Sequence, residues 1–242
     1  MMQSLQPITD EPRGIELDEI DITGGRVLTG LGPLRDVDSI IIKQKISTCE
    51  LLTGCEMENR FLICGPQGDT LFWAKEHSNF CNRLWCGSVR SFNMSITDQT
   101  NQTVMEINRA LACQGLCCSF LYPYCTQELN VSVGSQSVGT IRERATWWSP
   151  VLHIFDSVGN QVLKVRGPNC LFFCCDDINF SVLNTDGAEV GSITKKWMGC
   201  WKETLTDADN FLLTFNPGMD VSEKVLIIAA TFLIDVMFFE YN

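Results

Sequence analysis

From residue 60 onward one pattern repeats along the chain. A short run with apolar residues at alternate positions meets a cluster of turn formers, and a second such run follows. Residues 61–64 and 70–74 flank Gly-Pro-Gln-Gly-Asp, and residues 91–97 and 103–107 flank Asp-Gln-Thr-Asn-Gln. Residues 128–133 and 138–142 flank a turn at 134–137. Residues 151–155 and 161–165 flank Asp-Ser-Val-Gly-Asn, and 178–183 and 188–194 flank Asn-Thr-Asp-Gly. Period two joined by Gly, Asn, Asp or Ser is the signature of a β-hairpin. Five hairpins predict ten or more antiparallel strands, and a sheet of that size closes on itself as a barrel or folds into a sandwich.

The end of the chain breaks this rhythm. Residues 225–234 are apolar except for Thr231, Asp235 interrupts, and Val236, Met237, Phe238 and Phe239 continue. That composition predicts a helix over 221–239. Its apolar part is roughly 22 Å long at about 1.5 Å per residue, whereas a bilayer core needs about 20 residues. One carboxylate within it adds about 2.5–3.5 kcal/mol to insertion. A helix that is apolar all round has to be buried somewhere, and the expected place is the protein interior. At the other end, residues 1–25 read as an acidic, flexible tail and 26–242 as the domain.

Composition narrows the function. Apolar residues make up 45% of the 242-residue chain and charged ones 19%, which excludes a disordered polymer. Eighteen basic against 29 acidic side chains leave a formal charge of −11. That argues against a general nucleic-acid binder, which needs a basic surface, and no sequence-specific nucleic acid is expected as a partner. It also argues against unaided attraction to an anionic leaflet. Residues 1–21 carry no apolar core or basic leader, so no signal peptide is expected. The four Asn-x-Ser/Thr sequons, at Asn93, Asn101, Asn130 and Asn179, are read as unused.

Thirteen cysteines, an odd number, cannot form a fully paired disulfide framework within one chain. Cys113, Cys117, Cys118 and Cys125 lie in one stretch and Cys170, Cys174 and Cys175 in another. Neither has the paired spacing of a zinc site. Cys81 and Cys86 do, with His77 upstream, but no second pair follows at finger spacing. Buried free thiols are the plain reading of Cys170–Cys175. The first stretch is surrounded by Leu116, Phe120, Leu121, Tyr122 and Tyr124, and thiols beside a membrane-seeking segment suit S-acylation. Two or more acyl chains anchor stably.

Before the helix, Asp207, Asp209, Asn210 and Asp220 gather oxygen donors within fourteen residues. Oxygen ligands at alternating positions suit calcium. The match to an EF-hand is poor, since Phe211, Leu212 and Gly218 stand where that loop needs an oxygen donor, Gly and a carboxylate. The alternative is a solvated loop whose Asp caps the next element.

The run 206–211 (Thr-Asp-Ala-Asp-Asn-Phe), with Phe232-Leu233-Ile234-Asp235 and Met237-Phe238-Phe239-Glu240, resembles the phospholipid scramblases. Cys64-Gly65-Pro66-Gln67-Gly68 and Arg166-Gly167-Pro168 support the resemblance, which covers about 45–240. It implies a mainly β fold similar to the Tubby C-terminal domain: a twelve-stranded antiparallel closed barrel enclosing a hydrophobic C-terminal helix. It implies calcium-stimulated, ATP-independent, bidirectional movement of phospholipids between leaflets by a transporter rather than a chemical catalyst. Asp207 and Asp209 match the family's calcium segment, and its closing acidic residue falls at Gly218. Cys113–Cys125 match its acylated run, which implies covalent palmitate, with Cys117 and Cys118 foremost. Lys195, Lys196 and Trp197 fall in its nuclear-import segment; a surface pair at a strand end is the other reading. The family's Pro-rich N-terminal region has no counterpart here, so readers of Pro-rich motifs are not expected.

The function implied is a scramblase on the cytoplasmic face of the plasma membrane, with a cytosolic or nuclear pool when not acylated. One short helix supplies no polar path for a headgroup, so transport calls for a homo-oligomer or a partner. The alternative is an acyl-anchored scaffold without transport. A hydrolase would have to use His77 or His153 as its base, and neither lies near a nucleophile motif.

Overall fold

The computed structural model describes residues 22–23, 26–45, 59–77, 91–110, 126–144, 146, 149–169, 176–196 and 207–239. Two residues on either side of 24–25 pair as β1 (Ile22–Thr23) and β2 (Arg26–Val27), and a 3-10 turn (Gly32–Leu34) leads into the main sheet. The predicted hairpins are all present. They are β4 (Arg60–Cys64) with β5 (Thr70–His77), β6 (Phe92–Thr97) with β7 (Thr103–Arg109), and β8 (Glu128–Val133) with β9 (Gln136–Arg144). β10 (Val151–Asp156) with β11 (Gln161–Arg166) and β12 (Ile178–Asn184) with β13 (Glu189–Lys196) complete the set.

Four of these hairpins close with the same turn. The first turn residue donates its N–H to the carbonyl four residues on, and the fourth donates back to the first: Gly65 with Asp69 and Gly68, Asp98 with Gln102 and Asn101, Asp156 with Asn160 and Gly159, Asn184 with Ala188 and Gly187. The fourth position has positive φ every time (Gly68 86°, Asn101 62°, Gly159 97°, Gly187 82°), which explains Gly or Asn there. The extra residue shifts the register by one just inside each hairpin, the bulge expected of a three-residue loop.

Two further strands complete the sheet. β3 (Ser39–Lys45) precedes the hairpins, and β14 (Asp207–Phe215) follows them. Every strand from β3 to β14 pairs antiparallel with the next, and β14 returns to β3 from Thr214↔Ser39 to Asp207↔Lys45. The result is a closed barrel of twelve strands, as the resemblance implied. One expectation is corrected. Residues 207–215 are a barrel strand, not a loop, because Phe211, Leu213 and Phe215 alternate into the core while β3 and β13 supply backbone partners on both sides.

The helix α1 (Val221–Ile234) fills the lumen and continues as a π-helical turn, Asp235–Phe239. Ile40, Phe61, Phe72, Met94, Ile107, Val131, Ile154, Val165, Val182, Ile193 and Leu213 line the wall around it, all almost fully buried. Phe61 meets Phe232 edge-on at 5.1 Å between ring centres. Because the helix is apolar on every side, a lumen surrounds it where a groove would leave half exposed. Lys224 is its buried cation, and the ammonium donates to the carbonyls of Leu34, Arg35 and Val37, each at 2.9 Å. Burial pulls its pKa below the ordinary lysine value, against the opposing carboxylates of Asp38 and Asp36.

No described helix is long and apolar enough to cross a membrane. Outward positions such as Asn93, Glu106, Glu128, Asn130, Arg142 and Asn179 are polar and exposed. Trp73 and Val158 are the large apolar exceptions among the described residues.

Candidate functional site

The family-matching segments converge where β13, β14 and the end of the lumenal helix meet. Lys195 and Lys196 are neighbours in sequence but face opposite sides of β13, as period two requires. Lys195 lies in register with Phe211 of β14, its ammonium 3.9 Å from the ring centre of Phe239 and 5.6 Å from that of Phe211. The four rings of Phe180, Phe211, Phe238 and Phe239 pack at 6.0–6.5 Å around the helix exit. Lys195 therefore caps an aromatic collar at the mouth of the barrel. Lys196 points outward and donates to Asp177 at 2.6 Å in an exposed ion pair. Trp197 lies outside the described residues.

The calcium candidates divide between two barrel ends. Asp207 starts β14 opposite Lys45, and Asn210 lies opposite Lys43 and Lys196, with a bulge between Asp207 and Asn210. Asp220 is exposed at the far end, as the N-terminal boundary residue of α1. A strand of nine residues at about 3.3 Å each separates the two ends by roughly 25 Å. Asp207, Asp209 and Asn210 thus share one locality that Asp220 does not reach. No three His, Cys, Asp or Glu side chains converge as a metal site among the described residues. At the far end Asp220 acts on Glu223 instead: burial first, then the Asp220 charge, raises the Glu223 pKa above its ordinary value.

Cys113, Cys117, Cys118 and Cys125 lie outside the described residues, as do Cys170, Cys174 and Cys175. The chain leaves for the first stretch at Ala110, next to the end of β7, and returns at Thr126, just before β8. Cys64, on β4, is a buried free thiol. The two histidines are tied to the sheet. His153 Nδ1 donates to Gln161 Oε1, and His77 Nε2 shares a hydrogen bond with Ser95 Oγ.

Sequence reasoning missed the collar and the buried Lys224. The signal for the collar was present in the phase of β13 and β14, where Lys195 and Phe211 share inward parity with Ile193 and Leu213. It needed β14 to be recognised as a strand.

A family model described as Scramblase matches residues 25–241. Phospholipid scramblase 1 of Homo sapiens is 37% identical over 217 residues, covering 87% of this chain and 66% of that protein. Phospholipid scramblase 2 of Homo sapiens is 37% identical over 217 residues, covering 87% of this chain and 70% of that protein. Phospholipid scramblase 4 of Mus musculus is 29% identical over 236 residues, 97% of this chain and 72% of that protein. The chain spans 62–66% of the length of the three phospholipid scramblase 1 relatives it matches.

Proposed function

The chain belongs to the scramblase family, and from that premise we propose that it moves phospholipids between membrane leaflets, stimulated by calcium and without ATP. The observation that carries the reading is the extent of the family match. Residues 25–241 take in the whole barrel, β3 to β14, together with its lumenal helix. That match supports reading the activity in the relatives' names as a property of this fold unit.

Asp207 and Asp209 are the pair that would hold calcium, whose role is to supply positive charge at the mouth of the barrel. Palmitate on Cys117 and Cys118, with Cys113 and Cys125 as further sites, would hold the barrel at the cytoplasmic face of the plasma membrane. Without it, a cytosolic or nuclear pool is expected. A polar path for headgroups through hydrocarbon is beyond one helix packed inside a barrel, so transport calls for a homo-oligomer or a partner.

The test is exchange of a fluorescent phospholipid in vesicles holding the purified protein. Calcium-dependent exchange is expected. Its absence, with the barrel shown to be folded by circular dichroism, removes the transport reading. One observation favours a second reading. With residues 221–239 packed in the lumen, this state leaves the helix unable to span a bilayer, as suits an acyl-anchored scaffold. Release by hydroxylamine distinguishes a thioester tether from a helix that spans.

A further inference from the structure

At the end of the barrel where the hairpins turn, a cleft of about 520 Å³ lies between the segment before β3 and the turn from β6 to β7. That volume is in the range of small-ligand sites. Leu71 and Phe72, both buried at the start of β5, give the cleft an apolar part, and Pro33 adds to it. The remaining wall is polar, and its free hydrogen-bonding capacity is mainly that of acceptors. Asp98 accepts from Thr100 and Gln102 at Oδ1, which leaves Oδ2 for a ligand. The Thr100 hydroxyl donates to Asp98 and the Gln99 amide donates to the Thr70 carbonyl, so each presents an oxygen. Asp36, on the facing segment, attracts the buried Lys224 ammonium without pairing with it. Neither Asp36 nor Asp98 has an ion-pair partner among the described residues. Arg35, the cation of this wall, is already engaged within the protein.

We propose that this cleft binds an alkylammonium ligand of net positive charge, held by Asp36, Asp98, Gln99 and Thr100 and lying along Leu71, Phe72 and Pro33. An ammonium is all donors and no acceptor, which complements the polar wall. Its methylenes cover apolar surface while the charge stays among the carboxylates. Two sources carry that chemistry: a free polyamine, and the lysine side chains of a basic peptide. A phospholipid headgroup fits poorly, because its phosphate would meet an end of the barrel where Asp38, Asp69, Asp186 and Asp220 are also exposed. The site is therefore separate from lipid transport. A ligand bridging the segment before β3 and the β6–β7 turn favours the folded barrel, since it binds that state alone.

The test titrates the full chain, in calcium-free buffer at fixed ionic strength, with spermidine and separately with an oligolysine peptide. Calorimetry should show saturable one-to-one binding, and the thermal midpoint should rise with ligand. Binding of spermidine identifies a free amine as sufficient, whereas binding of the peptide alone identifies a protein source. Asp36→Asn and Asp98→Asn should each weaken binding about fivefold, the upper end for one exposed ion pair. Asn at position 98 keeps the Oδ1 acceptor that closes the turn, so lost binding is separable from lost fold. Asp186→Asn, in another turn at the same end, makes the same change in net charge and should leave the affinity unchanged. Absence of saturable binding by both probes, equal binding of phosphoethanolamine, or an equal loss in Asp186→Asn overturns the proposal.

Discussion

Lys224 in the first turn of the lumenal helix donates to the carbonyl of Val37 at 2.9 Å, and so ties the C-terminal element to the segment that starts the barrel. The same ammonium reaches Leu34 and Arg35. The contact is made 187 residues apart in sequence and closes the chain on itself. Replacing Lys224 with Met keeps the apolar stem and removes the donor, leaving three carbonyls short of a partner. We expect a loss of about 1–3 kcal/mol, read as a lower denaturant midpoint with unchanged slope.

Gly139 of β9 sits in the barrel wall against Leu226 of the helix. A Cβ there would lie 2.2 Å from the carbonyl oxygen of Phe155 and 3.1–3.2 Å from the Leu226 methyl groups. The oxygen belongs to the backbone of β10 and has no rotamer to escape into. Gly139→Ala should therefore destabilise by about 1–3 kcal/mol, and trimming Leu226 to Val should not restore stability. Chemical denaturation of both variants checks this.

The turns set the acid limb of stability. Burial is the largest single influence on Asp98 and Asp156 and acts to raise their pKa values, but the hydrogen bonds together outweigh it and leave both below the ordinary value of 3.8. Asp98 Oδ1 accepts from the Thr100 hydroxyl and the Thr100 and Gln102 amides, and Asp156 Oδ1 from the amides of Val158, Gly159 and Asn160. A carboxylate held more acidic in the fold stabilises it above the unfolded value and ceases to as pH falls through the folded one. Glu223 has the opposite sign, its pKa raised above 4.5 by burial and by Asp220. Its proton is held more tightly in the fold, so stability declines as pH rises through the window that begins at 4.5. Asp98→Asn with Asp156→Asn should flatten the loss of thermal midpoint below about pH 4, the ordinary Asp range. Glu223→Gln should raise the midpoint at neutral pH and leave the limb below that value unchanged.

The hairpins were legible because each carries its turn chemistry locally, as in Asp156-Ser-Val-Gly159-Asn160, where one side chain caps the amides and Gly supplies the positive φ. β14 was not. Asp207, Asp209 and Asn210 are poor strand formers, and their oxygens drew the eye from the alternation Phe211, Leu213, Phe215. Its partners, β3 and β13, decide the matter through tertiary pairing. The helix was legible in length and in placement, since it is apolar all round and too short for a bilayer. The alignment of Lys45, Arg60 and Lys75 across β3, β4 and β5 was likewise invisible, because it arises through register alone. The acylation candidates have no structural description to set beside their sequence signal.

The collar predicts different effects for two adjacent lysines. Lys195→Ala removes a cation 3.9 Å from the Phe239 ring centre, at the π-helical turn. A partly desolvated cation–π contact is worth about 1–2 kcal/mol, so amide exchange over 235–239 should quicken. Lys196→Ala breaks the exposed pair with Asp177, worth about 0–1 kcal/mol, and should leave that exchange unchanged. Hydrogen exchange by mass spectrometry reads both. If Lys196→Ala alone loosens the turn, Lys195 does not hold the collar.

The calcium response should likewise divide along β14. Asp207 and Asp209 begin the strand, and Asp220 stands roughly 25 Å away beyond its other end. A calcium ion takes ligands at 2.3–2.6 Å, so one ion cannot use both ends. Asp207→Asn with Asp209→Asn should abolish calcium-stimulated exchange, whereas Asp220→Asn should leave its calcium dependence unshifted and raise the neutral-pH thermal midpoint by relieving Glu223. The opposite ranking, with Asp220→Asn shifting the calcium titration and the β14 pair silent, would move any calcium site to the N-terminus of the helix. Leaflet-exchange rates measured across a calcium titration, paired with melting curves of the same variants, separate the two.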